Sequence, residues 1–208
     1  RVYVALNTLL QDHELAEVVD LLVGIDEAGV DAAIVQDMGV YQLLREHLPD
    51  LRLHASTQMA VHSAEGVAAL AQLGFARATL ARELTLKEIE AASRVPGIEA
   101  EVFVHGTLCY SYSGLCLLSS HLNGRSGNRG RCAYPCRRTC RLDNGEAGLF
   151  FSMKDLVLAE HIPALARAGV ASVKIEGRKK SPLYVAATTA LYRDLLDGVV
   201  TCTSLPTR

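Results

Sequence analysis

The sequence predicts an α/β fold: a (βα)8 TIM-type barrel that lacks its N-terminal units and carries an irregular, cysteine-rich insertion. Two observations lead there. Six short apolar or alternating runs occur along the 208 residues, with helix-period segments between several of them. Three helical patterns also end alike, at Ala28-Gly29-Val30, Leu73-Gly74-Phe75 and Ala168-Gly169-Val170. Each glycine suits the left-handed residue that closes a helix, and a strand follows at once. This is the rhythm of βα units around a parallel sheet. No Gly-x-Gly-x-x-Gly follows a strand, so the dinucleotide-binding open sheet loses its best signature. An open sheet of another kind remains the second reading.

The strands are expected at Val2–Leu6, Ala32–Val35, Leu51–His54, Ala76–Ala81, Ala100–Val104 and Ala171–Ile175. Leu15, Val18, Val19, Leu22 and Ile25 recur at helical spacing after the first strand, and Val67, Leu70 and Leu73 do so after the third. Thr85 and Glu88 form a capping box, in which the threonine accepts from the Glu88 amide and the glutamate reaches back. Ser181-Pro182 starts the last helix, with proline at its first position, and Val185, Leu191, Leu195 and Leu196 are its expected apolar side. The expected organisation is barrel units over 1–105, a Cys/Arg-rich metal-binding segment over 106–150, the C-terminal barrel unit or units over 151–198 and a tail over 199–208.

Composition narrows the function classes. Half of the residues are apolar and 21% are charged, which is globular rather than disordered. With 21 Lys+Arg against 23 Asp+Glu the net charge is −2. Overall charge therefore does not hold this chain to nucleic acid, although a local basic patch still can. The best membrane-span candidate, Leu156–Ala171, is broken by Glu160, His161, Pro163 and Arg167, so no transmembrane helix is expected. Arg1 is followed directly by a buried-strand pattern, and Thr201–Arg208 stops without a structural close. The chain thus reads as a piece of a longer protein, with partner barrel units supplied by the parent chain.

Five of the six cysteines fall between Cys109 and Cys140. A disulfide scaffold would spread them through a short secreted chain, so one cluster points to a metal site in a reducing compartment. The spacing is Cys109-x6-Cys116-x15-Cys132-x3-Cys136, with Cys140 as a substitute and Cys202 as a bystander. Four thiolates suit a tetrahedral zinc or a four-iron cluster, and the spacing alone does not choose between them. Buried, unligated thiols are the plainer alternative. The same segment holds six arginines in 17 residues (Arg125, Arg129, Arg131, Arg137, Arg138 and Arg141) with no acid among them. They can contact phosphate or carboxylate, or they can stabilise the thiolates and pair with acids elsewhere. Tyr110, Tyr112 and Tyr134 are available to stack on bases.

A barrel also demands functional groups at the C-terminal ends of its strands. Asn7, Asp37, His54, Ser56, Thr57, Gln58, Arg82, Glu83, His105, Lys174, Glu176 and Arg178 fall there.

The run Glu101–Cys109, EVFVHGTLC, and the run Ser113–Ser119, SGLCLLS, resemble the signature of the peptidase U32 family, the collagenase-like proteins. His54–Gln58, Leu80–Glu83, Ser152–Leu156 and Lys174–Arg178 agree in family order across nearly the whole chain. The resemblance implies a barrel that begins with two further βα units. It also implies one of two activities. The family name says peptidase. The better-understood bacterial members resemble iron–sulfur proteins of oxygen-independent hydroxylation, acting on a tRNA wobble uridine with prephenate as oxygen donor, on an rRNA cytidine or on ubiquinone precursors. Cys109, Cys116, Cys132 and Cys136 match the 4Fe-4S ligands of the RNA-modifying branch, and the quinone branch spaces its ligands differently. Cys140 departs from the family pattern, where an aromatic residue is more usual.

On this reading the protein is a cytoplasmic RNA hydroxylase using a small carboxylate donor. Arg82, Lys174, Arg178, Arg137, Arg138 and Gln58 are the expected donor and RNA contacts. His54 and His105 are expected to shuttle protons near neutral pH, while Glu83 and Glu176 pair with these bases or position water. Ion pairs such as Arg82 with Glu176 are the structural alternative. A peptidase with a cysteine nucleophile and His54 or His105 as base is the competing enzyme. A metal-stabilised RNA-binding module is the non-catalytic one.

Overall fold

The computed structural model describes residues 1–177 and 180–203, with side chains described as far as residue 198. Arg178 and the side chain of Cys202 therefore lie outside the described residues. The strands are β1 (Tyr3–Leu6), β2 (Ala32–Val35), β3 (Arg52–Ala55), β4 (Arg77–Thr79), β5 (Glu99–Gly106), β6 (Cys140–Arg141), β7 (Ala147–Gly148), β8 (Leu156–Val157) and β9 (Ser172–Ile175). The helices are α1 (Leu15–Glu27), α2 (Met38–His47), α3 (Ala64–Gln72), α4 (Leu86–Ser93), α5 (Leu118–Asn123), α6 (Ile162–Arg167) and α7 (Pro182–Thr203).

β1 to β5 pair in chain order, all parallel, and β9 continues the parallel sheet beside β5. All six expected strands are thus in one sheet. Two-residue β8 pairs antiparallel with His105 and Gly106 at the end of β5. Among the described residues β1 and β9 leave the sheet open, so the fold is a mixed α/β one with a parallel sheet, and the expected barrel does not close within it.

Local chemistry accounts for most boundaries. Asp37, Ser63 and Thr85 accept amides at the starts of α2, α3 and α4, contacts worth about 1 kcal/mol each. The Thr85–Glu88 capping box is present. Ser181 Oγ accepts from the Tyr184 amide ahead of Pro182, starting α7 where expected. Gly29, Gly74 and Gly169 have φ of +59°, +78° and +87°, the left-handed closure inferred for them.

The core lies between the helices and one face of the sheet. Val18, Leu22 and Ile25 of α1, Val67 and Leu70 of α3, and Ile162 and Leu165 of α6 pack on Val35, Leu53, Ala55, Ala78 and Val104. Leu15, Val19 and Val23 form an exposed stripe on α1. The last helix also differs from expectation. Val185 and Leu191 of α7 are exposed, while Thr188 and Tyr192 are buried. Tyr192 wins because its hydroxyl donates to the Val104 carbonyl at 2.8 Å, so the ring enters the core with its polar atom satisfied.

The opposite face of the sheet is charged. Cross-strand register sets His54 beside Arg77, Arg77 beside Glu99, Thr79 beside Glu101, Glu101 beside Ser172 and Phe103 beside Lys174. The segment expected to be irregular after β5 contains short α5 and the β6–β7 hairpin, and it folds over the strand ends as a flap.

Candidate active site

The C-terminal strand ends and the flap enclose a cavity of about 600 Å³. Ala5, Ile34 and Phe103 form its apolar floor, and Asn7, Ser56 and Gln58 contribute polar groups. All four expected metal ligands, Cys109, Cys116, Cys132 and Cys136, line this one cavity, whereas Cys140 does not. The thiols are free, not disulfide-bonded.

Three contacts tie the cysteine-bearing turns to one another. Buried Ser119, on α5 just after Cys116, accepts from the Ala133 amide at 2.8 Å, drawing the Cys132 turn toward Cys116. Arg137, next to Cys136, donates to the Leu108 carbonyl beside Cys109 and to Met153 O and Ser152 Oγ. Tyr134 has φ +56° and reverses the chain so that its amide meets Cys132 Sγ at 3.3 Å. Burial raises the Cys136 pKa, nearby Arg137 opposes this, and the neighbouring Cys109 and Cys132 raise it further. The donor set fits a thiolate-bound metal centre in kind, and its four members share one cavity. Among the described residues no three ligand side chains close to metal-binding distance.

Two cations flank Phe103. Arg82 Cζ lies 6.0 Å and Lys174 Nζ 5.5 Å from the ring centroid, and both residues line the cavity. Lys174 is paired with Glu101 at 3.0 Å. Arg82 instead donates its Nε to the Ser113 hydroxyl at 3.3 Å. Glu176 and Gln58 line the cavity as well.

Other expected site residues lie elsewhere. His54 is buried on the charged face of the sheet, edge-on to Tyr3 at 4.8 Å. Burial, and then the charge of Arg77, lower its pKa to about 4, so the proton shuttle expected near neutral pH is corrected to a neutral imidazole. His105 faces α7, with Nδ1 3.3 Å from the Tyr192 hydroxyl. The register shift between Phe103 and His105 is the reason, because a bulge re-aims the side chains that follow it. Arg137 lines the cavity, but its donors are taken by the flap's own carbonyls and Ser152, which makes it a brace. Arg138 is exposed outside the cavity lining. Asp37 is a helix cap.

The His54 shift carries a pH prediction. Between pH 6.5 and about 4 the unfolded chain binds a proton on this imidazole that the folded chain refuses. Stability therefore rises with pH across that window, and the full shift is worth roughly 3 kcal/mol. Denaturant unfolding measured between pH 4 and 7 should show that slope, and His54→Gln should flatten it by about one proton.

The peptidase family U32 model matches residues 1–205. The chain belongs to peptidase family U32. This U32 chain is 42% identical over 206 residues to the 23S rRNA 5-hydroxycytidine C2501 synthase of Escherichia coli (strain K12), covering 96% of this chain and 31% of that protein. It is 35% identical over 210 residues to tRNA hydroxylation protein P1 of Bacillus subtilis (strain 168), covering 95% and 50%. The solved structure of the U32 peptidase Mk0906 aligns with a TM-score of 0.51 at 14% identity, over 83% of this chain and 65% of that one, a likeness of fold. The U32 chain spans about a third to a half of the length of these curated relatives.

Sequence reasoning missed the buried network that holds Lys174. Glu101, 7% exposed, accepts from Thr79 Oγ1 at 3.0 Å, Ser172 Oγ at 2.8 Å and Lys174 Nζ at 3.0 Å, with Arg77 Nη1 at 3.4 Å. The buried ion pairing thus centres on Glu101, not on Arg82. Arg77 also binds Glu99 at 2.6 Å. A signal was present, since Arg77-x-Thr79, Glu99-x-Glu101 and Ser172-x-Lys174 alternate polar with apolar in strands that a buried parallel sheet usually makes continuously apolar. Of the six flap arginines, Arg129 pairs with Glu14 and Arg137 braces the flap, while Arg125, Arg131, Arg138 and Arg141 are exposed.

Proposed function

We propose that this chain is the cluster-bearing part of an enzyme that hydroxylates an RNA base without molecular oxygen, using a small carboxylate such as prephenate as donor. The observation that carries the reading is the shared cavity, with four cysteines on the flap side and Arg82, Lys174 and Phe103 on the sheet side. The names of the two curated relatives support RNA as the substrate class. We further propose that the sheet is an arc of a (βα)8 barrel whose remaining units pair with the open edge of β1.

Cys109, Cys116, Cys132 and Cys136 would hold a 4Fe-4S cluster, with zinc as the alternative ion. When bound, the cluster supplies electron-transfer and Lewis-acid chemistry at the cavity wall. The chain's own groups do the rest. Arg82 and Lys174 attract the donor's carboxylates, and the Phe103 ring between them supports its apolar body. The flap screens the cavity from bulk water, which strengthens these charge contacts. Exposed Tyr110 and Tyr112 at the rim offer faces for stacked bases, and the exposed arginines meet phosphates. Glu176, which lines the cavity, pairs with its basic side chains or positions water on this reading.

Among the described residues no histidine lines the cavity, so the lining adds no imidazole base to support the peptidase reading.

Chemical assay of protein prepared without oxygen should find about four iron and four sulfide per chain. Cys109→Ala should lose them. Nucleoside mass spectrometry of tRNA and rRNA from cells lacking the gene should show one hydroxylated base missing, restored by the wild-type gene and not by Cys109→Ala. A colourless protein with one zinc, or an unchanged nucleoside profile, overturns the reading.

A further inference from the structure

Between Cys109 and Cys116 the chain makes a loop whose middle is tied to two strand ends. Ser113 has no exposed surface. Its amide donates to Glu83 Oε1 at 2.7 Å, and its hydroxyl lies 3.1 Å from Glu83 Oε2. That hydroxyl oxygen also accepts from the Arg82 amide and Nε, each at 3.3 Å. One residue on, Gly114 has φ +77°, and a Cβ there would stand 2.2 Å from the Gln58 carbonyl oxygen. Glu83 follows β4 and Gln58 follows β3, so the loop is fastened at two neighbouring points of the sheet. His62 Nε2 approaches Glu83 Oε2 at 3.3 Å from the other side.

We propose that Glu83 is a positioning residue: acting through Ser113, with Gly114 seated on Gln58, it latches the 109–116 loop to the strand ends and sets where Cys109 and Cys116 present their sulfurs to a metal. The metal part of this inference rests on the cluster reading above; the latch itself rests on the contacts alone. A carboxylate accepts only, and here it takes both donors of Ser113 at once. Its bond to the amide fixes the backbone, and being charge-assisted it is stronger than a neutral one. At Gly114 the opposing atoms are backbone and cannot swing aside. An acid–base role would need the Glu83 carboxylate to face the cavity, yet it is engaged by Ser113 and His62, and Glu83 is not among the lining residues.

The test uses oxygen-free, metal-free protein and two readouts. Co²⁺ titration, followed by thiolate-to-cobalt absorption, reports convergence of the sulfurs. Iodoacetamide alkylation of Cys116, read by peptide mass spectrometry against Cys140, reports how firmly the loop is held. Glu83→Ala and Gly114→Ala should weaken Co²⁺ binding about 10- to 100-fold, the range found for groups that orient ligands, and speed Cys116 alkylation relative to Cys140. Glu83→Gln keeps an oxygen for the Ser113 amide and should restore most of both. Ser113→Ala, a gentler change should the first variants fail to fold, should move both readouts several-fold in the same direction. Wild-type cobalt affinity and alkylation in Glu83→Ala overturn the latch, and lost activity would then mark Glu83 as an acid–base group. If the wild type shows no thiolate–cobalt absorption, the cluster reading fails and the alkylation rates alone decide the latch.

Discussion

Glu101→Ala is expected to cost the fold about 3–5 kcal/mol, the usual loss when one partner of a buried ion pair is removed. The carboxylate sits where four donors converge, from Arg77, Thr79, Ser172 and Lys174. Alanine leaves Arg77, 7% exposed, with Glu99 and a long contact to Ser172 Oγ at 3.5 Å, and releases Lys174 into the cavity without its counter-ion. Burial pushes the Glu101 carboxyl up, but the charge of Lys174 and the hydrogen bonds from Lys174, Ser172 and Thr79 outweigh it, so its pKa lies below the usual value. The sign follows from linkage. A depressed carboxylate stabilises above its unfolded pKa, and that contribution disappears as pH falls through the folded one. Denaturant melts at pH 7 should show the full loss, and the gap between wild type and Glu101→Ala should narrow below about pH 4. Equal stability of the two proteins at pH 7 would mean that the network is solvated, not buried.

Gly106→Ala is expected to be nearly as damaging, at about 3 kcal/mol for strain and overlap together. Gly106 ends β5 with φ +110°, and a Cβ would stand 2.6 Å from the Glu176 carbonyl oxygen and 2.9 Å from its Cβ. Here β5 is closed in by β9 on one side, where the Glu176 amide bonds His105 O at 2.8 Å, and by β8, where Gly106 pairs with Leu156. Neither neighbour can yield without parting the sheet. The chain runs from Gly106 through Thr107 and Leu108 to Cys109, so any shift also moves the first sulfur. Thermal denaturation should register the loss of stability, and Co²⁺ titration of the folded fraction should show weakened thiolate binding.

Much of the frame was legible because its signals are local. Three glycines needing left-handed backbone, the Thr85–Glu88 box and the Ser181-Pro182 start act within a few residues, and each is where the sequence put it. The cysteines were legible by count and spacing. What stayed hidden depends on three-dimensional registration. One irregular step after Phe103 turned His105 from the cavity toward Tyr192, and alternation along the strand cannot announce that step. In α7 apolar residues occur on more than one side, so Val185 and Leu191 looked as eligible as the Thr188–Tyr192 side that the Val104 carbonyl selects. Arg137 carries a long, many-donor side chain, and only the folded flap reveals that its own backbone supplies the acceptors. Glu101 was not legible as the hub of a buried network, because its partners come from two other strands, β4 and β9.

The bracing of the flap by Ser119, Arg137 and Glu83 has a further consequence. Small zinc-dependent domains collapse once their ion is taken away, and recovery then means folding afresh. Here the struts are amides, hydroxyls, a guanidinium and a carboxylate, none of which is consumed by oxidation or stripped by a chelator. On the proposed cluster reading, a molecule emptied by air would keep its socket, and refilling it would be a matter of supply rather than of refolding.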